Sequence, residues 1–193
     1  MQAWRLEPHN GVDPFEKHIR AWVEAQSTNE DSDDEWDIAG PLWASAAKFL
    51  LAHINRMCFR VHMQTRKMYR QRTGPPEEKW PTFEQAMAKD HLSPFGACMV
   101  AMWLCDSVMP ADVRILIGLA ERADGQAIVP VVMVMEAGLM IIDPSGLVTG
   151  WRPKRLARVK GWVINRAFDV SGSYSLREVI VSNEELTNQR IKR

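Results

Sequence analysis

The sequence has little cysteine, and its spacing does not suggest cross-linking or metal binding. The 193 residues contain three cysteines, Cys58, Cys98 and Cys105, with no C-x-x-C pair. An odd number of unpaired cysteines argues against a disulfide framework and predicts a reducing compartment. The sequence also lacks a standard zinc-ligand spacing and a glycine-rich phosphate loop. We therefore expect no metal and no cofactor.

Long hydrophobic runs and net charge are missing as well. No apolar stretch approaches the length of about 18 residues that a membrane span requires, and the first residues lack the apolar region of a signal peptide. These absences predict a cytoplasmic protein, or one inside an assembled particle, that is neither secreted nor membrane-bound. The formal net charge is zero, which argues against general attraction to nucleic acid or to a membrane.

The charges are nevertheless segregated along the chain. One short segment is acidic and contains Glu30, Asp31, Asp33, Asp34, Glu35 and Asp37. Another is basic and contains Arg152, Lys154, Arg155, Arg158 and Lys160. The basic run could be a solvated connection, or it could bind phosphates or an acidic protein surface. Because the two segments are complementary, we expect a protein partner or head-to-tail self-assembly. Nucleic acid is a possible but less favoured partner.

Apolar periodicity predicts helices in the first half of the chain. A short amphipathic helix is expected from Pro14 to about Gln26, and a long one from Pro41 to about Arg72, where apolar residues recur every three or four positions. Thr82 and Gln85 form a capping-box pattern for a helix that ends near Lys89. Ser93-Pro94 begins another helix that runs to Val108.

The second half is typical of strands. Branched apolar residues dominate 113–120, 127–136 and 139–143, and weaker strand patterns cover 161–167 and 178–182, before a last helix capped by Ser182. This order predicts an α+β fold with N-terminal helices, one of them long, followed by a helix packed on an antiparallel sheet. We expect one compact domain with a helical part over 1–80 and an α+β part over 81–193.

One constellation suggests cysteine chemistry. Phe95-Gly96-Ala97-Cys98 opens a helix, and a helix N-terminus lowers the pKa of a nearby thiol. Pro110-Ala111-Asp112-Val113-Arg114, two strands and Asp143-Pro144 follow. Over about residues 82–147 this order resembles the transglutaminase-like, papain-related superfamily. The resemblance implies Cys98 as the nucleophile and Asp143 as the acid that orients the base.

The base itself is missing from the expected strand. The family's histidine would fall near 128–130, where this chain reads Ile128-Val129-Pro130, and no histidine follows His91. An aliphatic side chain cannot accept the thiol proton, and loss of a positioned base lowers the rate by about 10²–10⁴-fold. His91 is a remote substitute. The plainer interpretations are that Cys98 is a buried core residue and that Asp143-Pro144-Ser145-Gly146 is a turn.

Three functions remain open at this point. The missing base favours a non-catalytic binding or structural protein on a degenerate scaffold, for example a component of a larger assembly such as a virion. The second is an active cysteine hydrolase or transglutaminase-like enzyme with Cys98 as nucleophile. The third is a nucleic-acid-associated factor that uses the basic run over 152–160.

Overall fold

A computed structural model describes residues 2–9, 21–22, 50–76, 79–111, 113–136 and 138–180. The helices in this part of the chain are α1 (Leu50–Gln71), α2 (Phe83–Ala88) and α3 (Pro94–Val108), with a 3₁₀ turn at Leu156–Arg158. The strands are β1 (Gln2–Pro8), β2 (Arg114–Arg122), β3 (Ile128–Glu136), β4 (Gly138–Ile142), β5 (Lys154–Arg155), β6 (Trp162–Asp169) and β7 (Gly172–Ile180). None of the helices described is long and apolar enough to cross a bilayer.

The strands form one sheet in which every neighbouring pair is antiparallel. Their order across the sheet is β1-β7-β6-β2-β3-β4-β5. Strands β2 and β3 form the central hairpin, and the register of β2 against β6 shifts between Leu119 and Ala120, which marks a bulge. The expected α+β class with an antiparallel sheet is confirmed.

The expected helical part over residues 1–80 begins instead with a strand, β1. Residues Gln2–Pro8 form an edge strand along β7, in which Leu6 pairs with Leu176. Seven residues are too few for periodicity to identify, and pairing with a strand about 170 positions later stabilises this one. The predicted strand 161–167 corresponds to β6, whereas the predicted strand 178–182 overlaps only the end of β7, which begins at Gly172.

Other predictions fall partly or wholly outside the described residues. The amphipathic segment Pro14–Gln26 is described only at residues 21–22, which are helical. The long helix is described from Leu50 onward, and the helix capped by Ser182 is not described.

The starts of α2 and α3 agree with the cap patterns of the sequence. The Thr82 hydroxyl accepts the Gln85 N–H, while Gln85 Oε1 accepts the Thr82 N–H at 3.1 Å. The Ser93 hydroxyl accepts the Gly96 N–H at 3.0 Å, with Pro94 in the first turn. These side chains satisfy backbone donors that would otherwise lack partners at a helix start.

Helix α3 lies at the centre of the fold because it is apolar on almost every side. Its residues from Phe95 to Ala101 are all buried, and the helix packs on β2, β3, α1 and α2. On the far face of the sheet a second apolar layer includes Leu116, Val131 and Ile141. The edge strand β1 also contacts β4, so the sheet curls around this second layer.

An aromatic cluster joins the segment before α2 to α3 and β6. The Trp80 ring stacks on Phe95 with centroids 4.3 Å apart and on Phe168 at 5.3 Å. Trp22 meets Phe168 edge-on at 5.6 Å. Since each ring buries a large apolar surface, this cluster stabilises the packing of Trp22 and Trp80 against α3 and β6.

Replacement of Phe168 by alanine should remove the ring on which Trp22 and Trp80 both pack. Truncation of a buried Phe costs about 3–5 kcal/mol because it combines lost transfer free energy with a cavity. The free energy of unfolding, measured by urea denaturation, should fall by that amount. Val170→Ala is the matched control, because Val170 is 57% exposed in the adjoining turn, and it should change the free energy by less than about 0.5 kcal/mol. Equal losses in the two variants would contradict the proposed role of the cluster.

Candidate functional site

Cys98 lies inside the protein and not in a cleft. It is the fifth residue of α3 and is fully buried. Its Sγ donates a hydrogen bond to the Pro130 carbonyl at 3.1 Å. Pro130 lies in β3 two residues before Val132, and Val132 is the first residue of β3 that pairs with β4. The thiol therefore contacts β3 at a proline that lies outside the pairing of this strand with β4.

The surroundings of Cys98 favour the neutral thiol. Burial raises the pKa of Cys98 well above its ordinary value, and the nearby carboxylate of Asp143 raises it further. Both effects oppose the charged form, because it would lose its hydration and lie near another negative charge. The thiolate that a nucleophile requires is thus disfavoured.

Asp143 organises its own loop. This carboxylate is fully buried at the end of β4, and Oδ2 accepts the N–H groups of Val148 at 2.7 Å and Thr149 at 3.1 Å. Oδ1 accepts the hydroxyl of Ser145 at 2.6 Å. The Gly146 N–H donates to the Asp143 carbonyl at 3.1 Å, so the predicted turn is present. The three partners of the carboxylate all lie within six residues of it.

The imidazole that approaches Asp143 comes from α1 and belongs to His62. His62 is fully buried, and its Nδ1 accepts the backbone N–H of Asp143 at 3.4 Å. The contact therefore uses the main chain of Asp143 and not its carboxylate. Nε2 is buried without a hydrogen-bond partner among the described residues.

Burial lowers the pKa of His62. The carboxylate of Asp143 raises the pKa of His62, and so does the backbone of Gly150, whereas the positive charge of Arg66 lowers it further. Because burial is the largest effect, the ring is held neutral in the fold. In the sequence, His62 falls within the long helix expected from Pro41 to about Arg72, and no functional role was assigned to it. The available signal was its spacing: Cys58, His62 and Thr65 lie three and four residues apart on the buried face of α1.

The structure separates His91 from the buried groups. His91 is an exposed residue between α2 and α3, and its ring lies against Gly74. Cys98, by contrast, is fully buried with its sulfur directed to the Pro130 carbonyl.

A small cleft does lie at the start of α3, but its lining is unreactive. The cleft has a volume of about 170 Å³, and its lining includes Ser93, Phe95, Leu119, Ile128 and Pro130. The described residues that line it include no titratable side chain. The lining contains Ser93 and not Cys98. The Ser93 hydroxyl caps the helix by accepting the Gly96 N–H. Ile128 is 42% exposed where the family resemblance places the base.

The basic run lies on the surface at the far edge of the sheet. Lys154 and Arg155 form β5, and Arg158 ends the 3₁₀ turn. The five cations of the run are all exposed, while Leu156 between them is buried. The run is thus available for contacts but is anchored by one apolar side chain.

No protein-family model matches this sequence, and no curated protein matches it. Three structures of LapG from Legionella pneumophila are similar to the fold at low identity. The calcium-bound form is 12% identical, covers 60% of this chain and 67% of LapG, and has a TM-score of 0.48. The EGTA-treated form is 11% identical, covers 66% of this chain and 73% of LapG, and has a TM-score of 0.49. A third LapG structure is 12% identical, covers 60% of this chain and 66% of LapG, and has a TM-score of 0.48. Similarity with TM-scores below 0.5 does not assign a function to this chain.

Asp143→Ala should destabilise the loop that follows β4. The substitution leaves the buried N–H groups of Val148 and Thr149 without their acceptor, and each unsatisfied donor costs about 1–3 kcal/mol. The free energy of unfolding, measured with urea, should fall by about 2–5 kcal/mol. Asp143→Asn is the matched control, because its amide oxygen can still accept both N–H groups and its nitrogen can donate to Ser145. A loss as large for asparagine as for alanine would contradict this account.

The buried neutral His62 should make the fold sensitive to mild acid. Its folded pKa lies below the ordinary value of 6.5, so the unfolded chain takes up the proton first as the pH falls. The stability that His62 contributes is complete above about pH 6.5 and declines as the pH falls from there towards the folded pKa. Urea denaturation between pH 5 and pH 8 should show this decline in about that range. His62→Gln should flatten the profile in that window, and an unchanged slope would show that another group is responsible.

Proposed function

We propose that this chain is a non-catalytic binding or structural protein on a degenerate transglutaminase-like scaffold. The observation that carries the proposal is the state of Cys98. Its sulfur is fully buried and donates to the Pro130 carbonyl, and its pKa is raised by burial and by Asp143. A thiol in this state is neither ionised nor accessible, so it cannot attack a carbonyl carbon.

The lining of the cleft supports the same function. General-base catalysis requires a proton acceptor within hydrogen-bonding reach of the nucleophile. At the cleft beside α3, Ile128 and Pro130 lie in the stretch near which the resemblance places the base, and the hydroxyl of Ser93 caps the helix. The described residues of the lining are mostly apolar and supply no acid or base. Such a cleft is suited to contact and not to proton transfer.

Asp143 supports the proposal for a different reason. In a cysteine hydrolase the acid would hold the imidazole by its ring N–H. Here the carboxylate of Asp143 accepts from Ser145, Val148 and Thr149, and His62 contacts only its backbone N–H. Cys98, His62 and Asp143 therefore lie in one region, but the hydrogen bonds of Asp143 hold its loop and do not orient an imidazole towards the thiol.

The alternative is an active enzyme that uses Cys98, and one observation favours it. Asp143 lies close enough to Cys98 to raise its pKa, while His62 contacts Asp143. Catalysis would require this region to open to a substrate. A protein partner or self-assembly, including a place in a larger assembly such as a virion, stays a prediction of the sequence.

Thiol labelling of Cys98 separates the two functions. In the folded protein, reaction with a disulfide reagent at pH 7.5 should be at least about a thousandfold slower than in urea, since a buried thiol reacts only when the fold opens. The rate should keep rising with pH and should not level off near the ordinary thiol pKa of 9.0.

Cys105 provides the matched control for that experiment. It lies in the same helix, is equally buried and also has its pKa raised by burial. In a Cys58→Ser background, the Cys105→Ser and Cys98→Ser variants each leave a single thiol, so the label is assigned to one sulfur. If Cys98 reacts much faster than Cys105 in the folded protein, or if amidase or transferase activity disappears in Cys98→Ser but not in Cys105→Ser, the chain is an enzyme and the proposal is wrong.

A further inference from the structure

Helix α1 has an outer face of unusual charge. Its 22 residues include no aspartate or glutamate, and its five cations are Arg56, Arg60, Arg66, Lys67 and Arg70. A solvent-exposed helix normally mixes both signs, which supports it through pairs along the helix. The whole chain is neutral, so this one-signed face is a local property and requires a local explanation.

The same face carries apolar side chains that the fold does not cover. Phe59 and Met63 are 40% and 41% exposed, and Trp151, from the loop after β4, is 72% exposed. Together they line a groove of about 930 Å³ that also includes Arg60, Lys67 and Arg70. Apolar and aromatic side chains surrounded by cations are typical of a binding surface.

The wall of the groove is held in place by Arg66. Its Nη1 donates to the Gly150 carbonyl at 2.9 Å, and its guanidinium lies 5.6 Å from the centre of the Trp151 ring. Gly146, with a φ of +77°, brings the loop backbone against the same guanidinium. A groove fixed in this way needs little ordering on binding, which favours affinity.

The groove favours an acidic protein segment with apolar side chains over the other anionic partners. Carboxylates would meet the cations, and an inserted apolar side chain would cover Phe59 and Trp151. A concave groove suits a chain segment better than a flat membrane, and the neutral balance of the chain gives no general attraction to nucleic acid. The sequence itself contains such a segment: six carboxylates lie within residues 30–37, with Trp36 among them.

We propose that the groove of α1 binds the acidic segment Glu30–Asp37 of a second copy of this chain. This deepens the proposed binding function by naming its surface and its partner. The basic run over 152–160 was expected to be the complement of the acidic segment, but none of its five cations lines the groove. Each copy would offer one groove and one acidic segment, so the contact can be reciprocal in a dimer or continue head-to-tail.

A peptide with the sequence of residues 29–43 tests the contact directly. The receptor is the full chain with Asp31→Asn, Asp33→Asn, Asp34→Asn and Glu35→Gln, which removes four of the six carboxylates so that its own segment competes little with the peptide. Fluorescence anisotropy at low salt should detect binding that weakens as salt screens the charges. Arg60→Ser with Lys67→Ser in that receptor should raise Kd about tenfold, since two ion pairs beside an apolar contact are lost. Trp151→Ala should also raise it.

The matched control removes two cations from the basic run instead. Arg155→Ser with Arg158→Ser changes the net charge equally, and all four substituted residues are exposed. It should leave Kd unchanged within about twofold. If this control loses binding as strongly as the groove variant, the basic run is the partner surface and the proposal is wrong. Tighter binding of a single-stranded oligonucleotide, or of vesicles with anionic lipid, than of the peptide would also overturn it.

Complementation by sedimentation tests whether the partner is a second copy. The wild-type chain should self-associate at about 50 mM salt and dissociate near 500 mM. The groove variant and the chain with the neutralised acidic segment should each be monomeric, yet their mixture should form a 1:1 complex. A wild-type chain that stays monomeric at low salt while its peptide binds would contradict association between copies. These outcomes leave Cys98 labelling untouched, so failure here and failure of the non-catalytic proposal are distinguishable.

Discussion

The sheet and the helices of this fold are arranged around helix α3, which is buried from Phe95 to Ala101. The helix has no charged residue before Asp106 and is covered by the sheet on one side and by α1 and α2 on the others. This burial holds Cys98 against the Pro130 carbonyl and removes it from water. The same apolar environment that stabilises the fold therefore suppresses the ionisation of the thiol. The stability of the fold and the raised pKa of Cys98 therefore have one physical cause.

Helix α1 serves the molecule through two different faces. Its inner face includes His62, whose Nδ1 accepts the Asp143 N–H, and so helps to place the loop that Asp143 organises. Its outer face contributes the cations and exposed apolar side chains of the groove. Arg66 connects the two, because it reaches the Gly150 carbonyl and lies over Trp151. Anchoring of the loop and formation of the groove are consequently coupled through one side chain.

Much of the fold was predictable where local signals are strong. The caps at Thr82 and Ser93, the course of α3 and the strands β2 to β4 all follow from short-range chemistry. Strand β1 was not predicted, and of β7 only the end was, since their pairing joins Leu6 to Leu176 and neither segment is strongly apolar. In the candidate site, the sequence identified Cys98 and Asp143 but missed His62 and Ser93. The contact between His62 and Asp143 spans 81 residues, and no local pattern encodes such a distance.

The sequence by itself determined which chemistry was possible: three cysteines without a framework, no histidine after His91, and two oppositely charged segments. The tertiary structure decided what each residue does. Residue type sets whether a side chain can ionise or donate, but its actual pKa and partners depend on neighbours that are brought together only by folding. For that reason Cys98 could be named from the sequence as a nucleophile or a core residue, and only the folded chain reveals its burial against the Pro130 carbonyl.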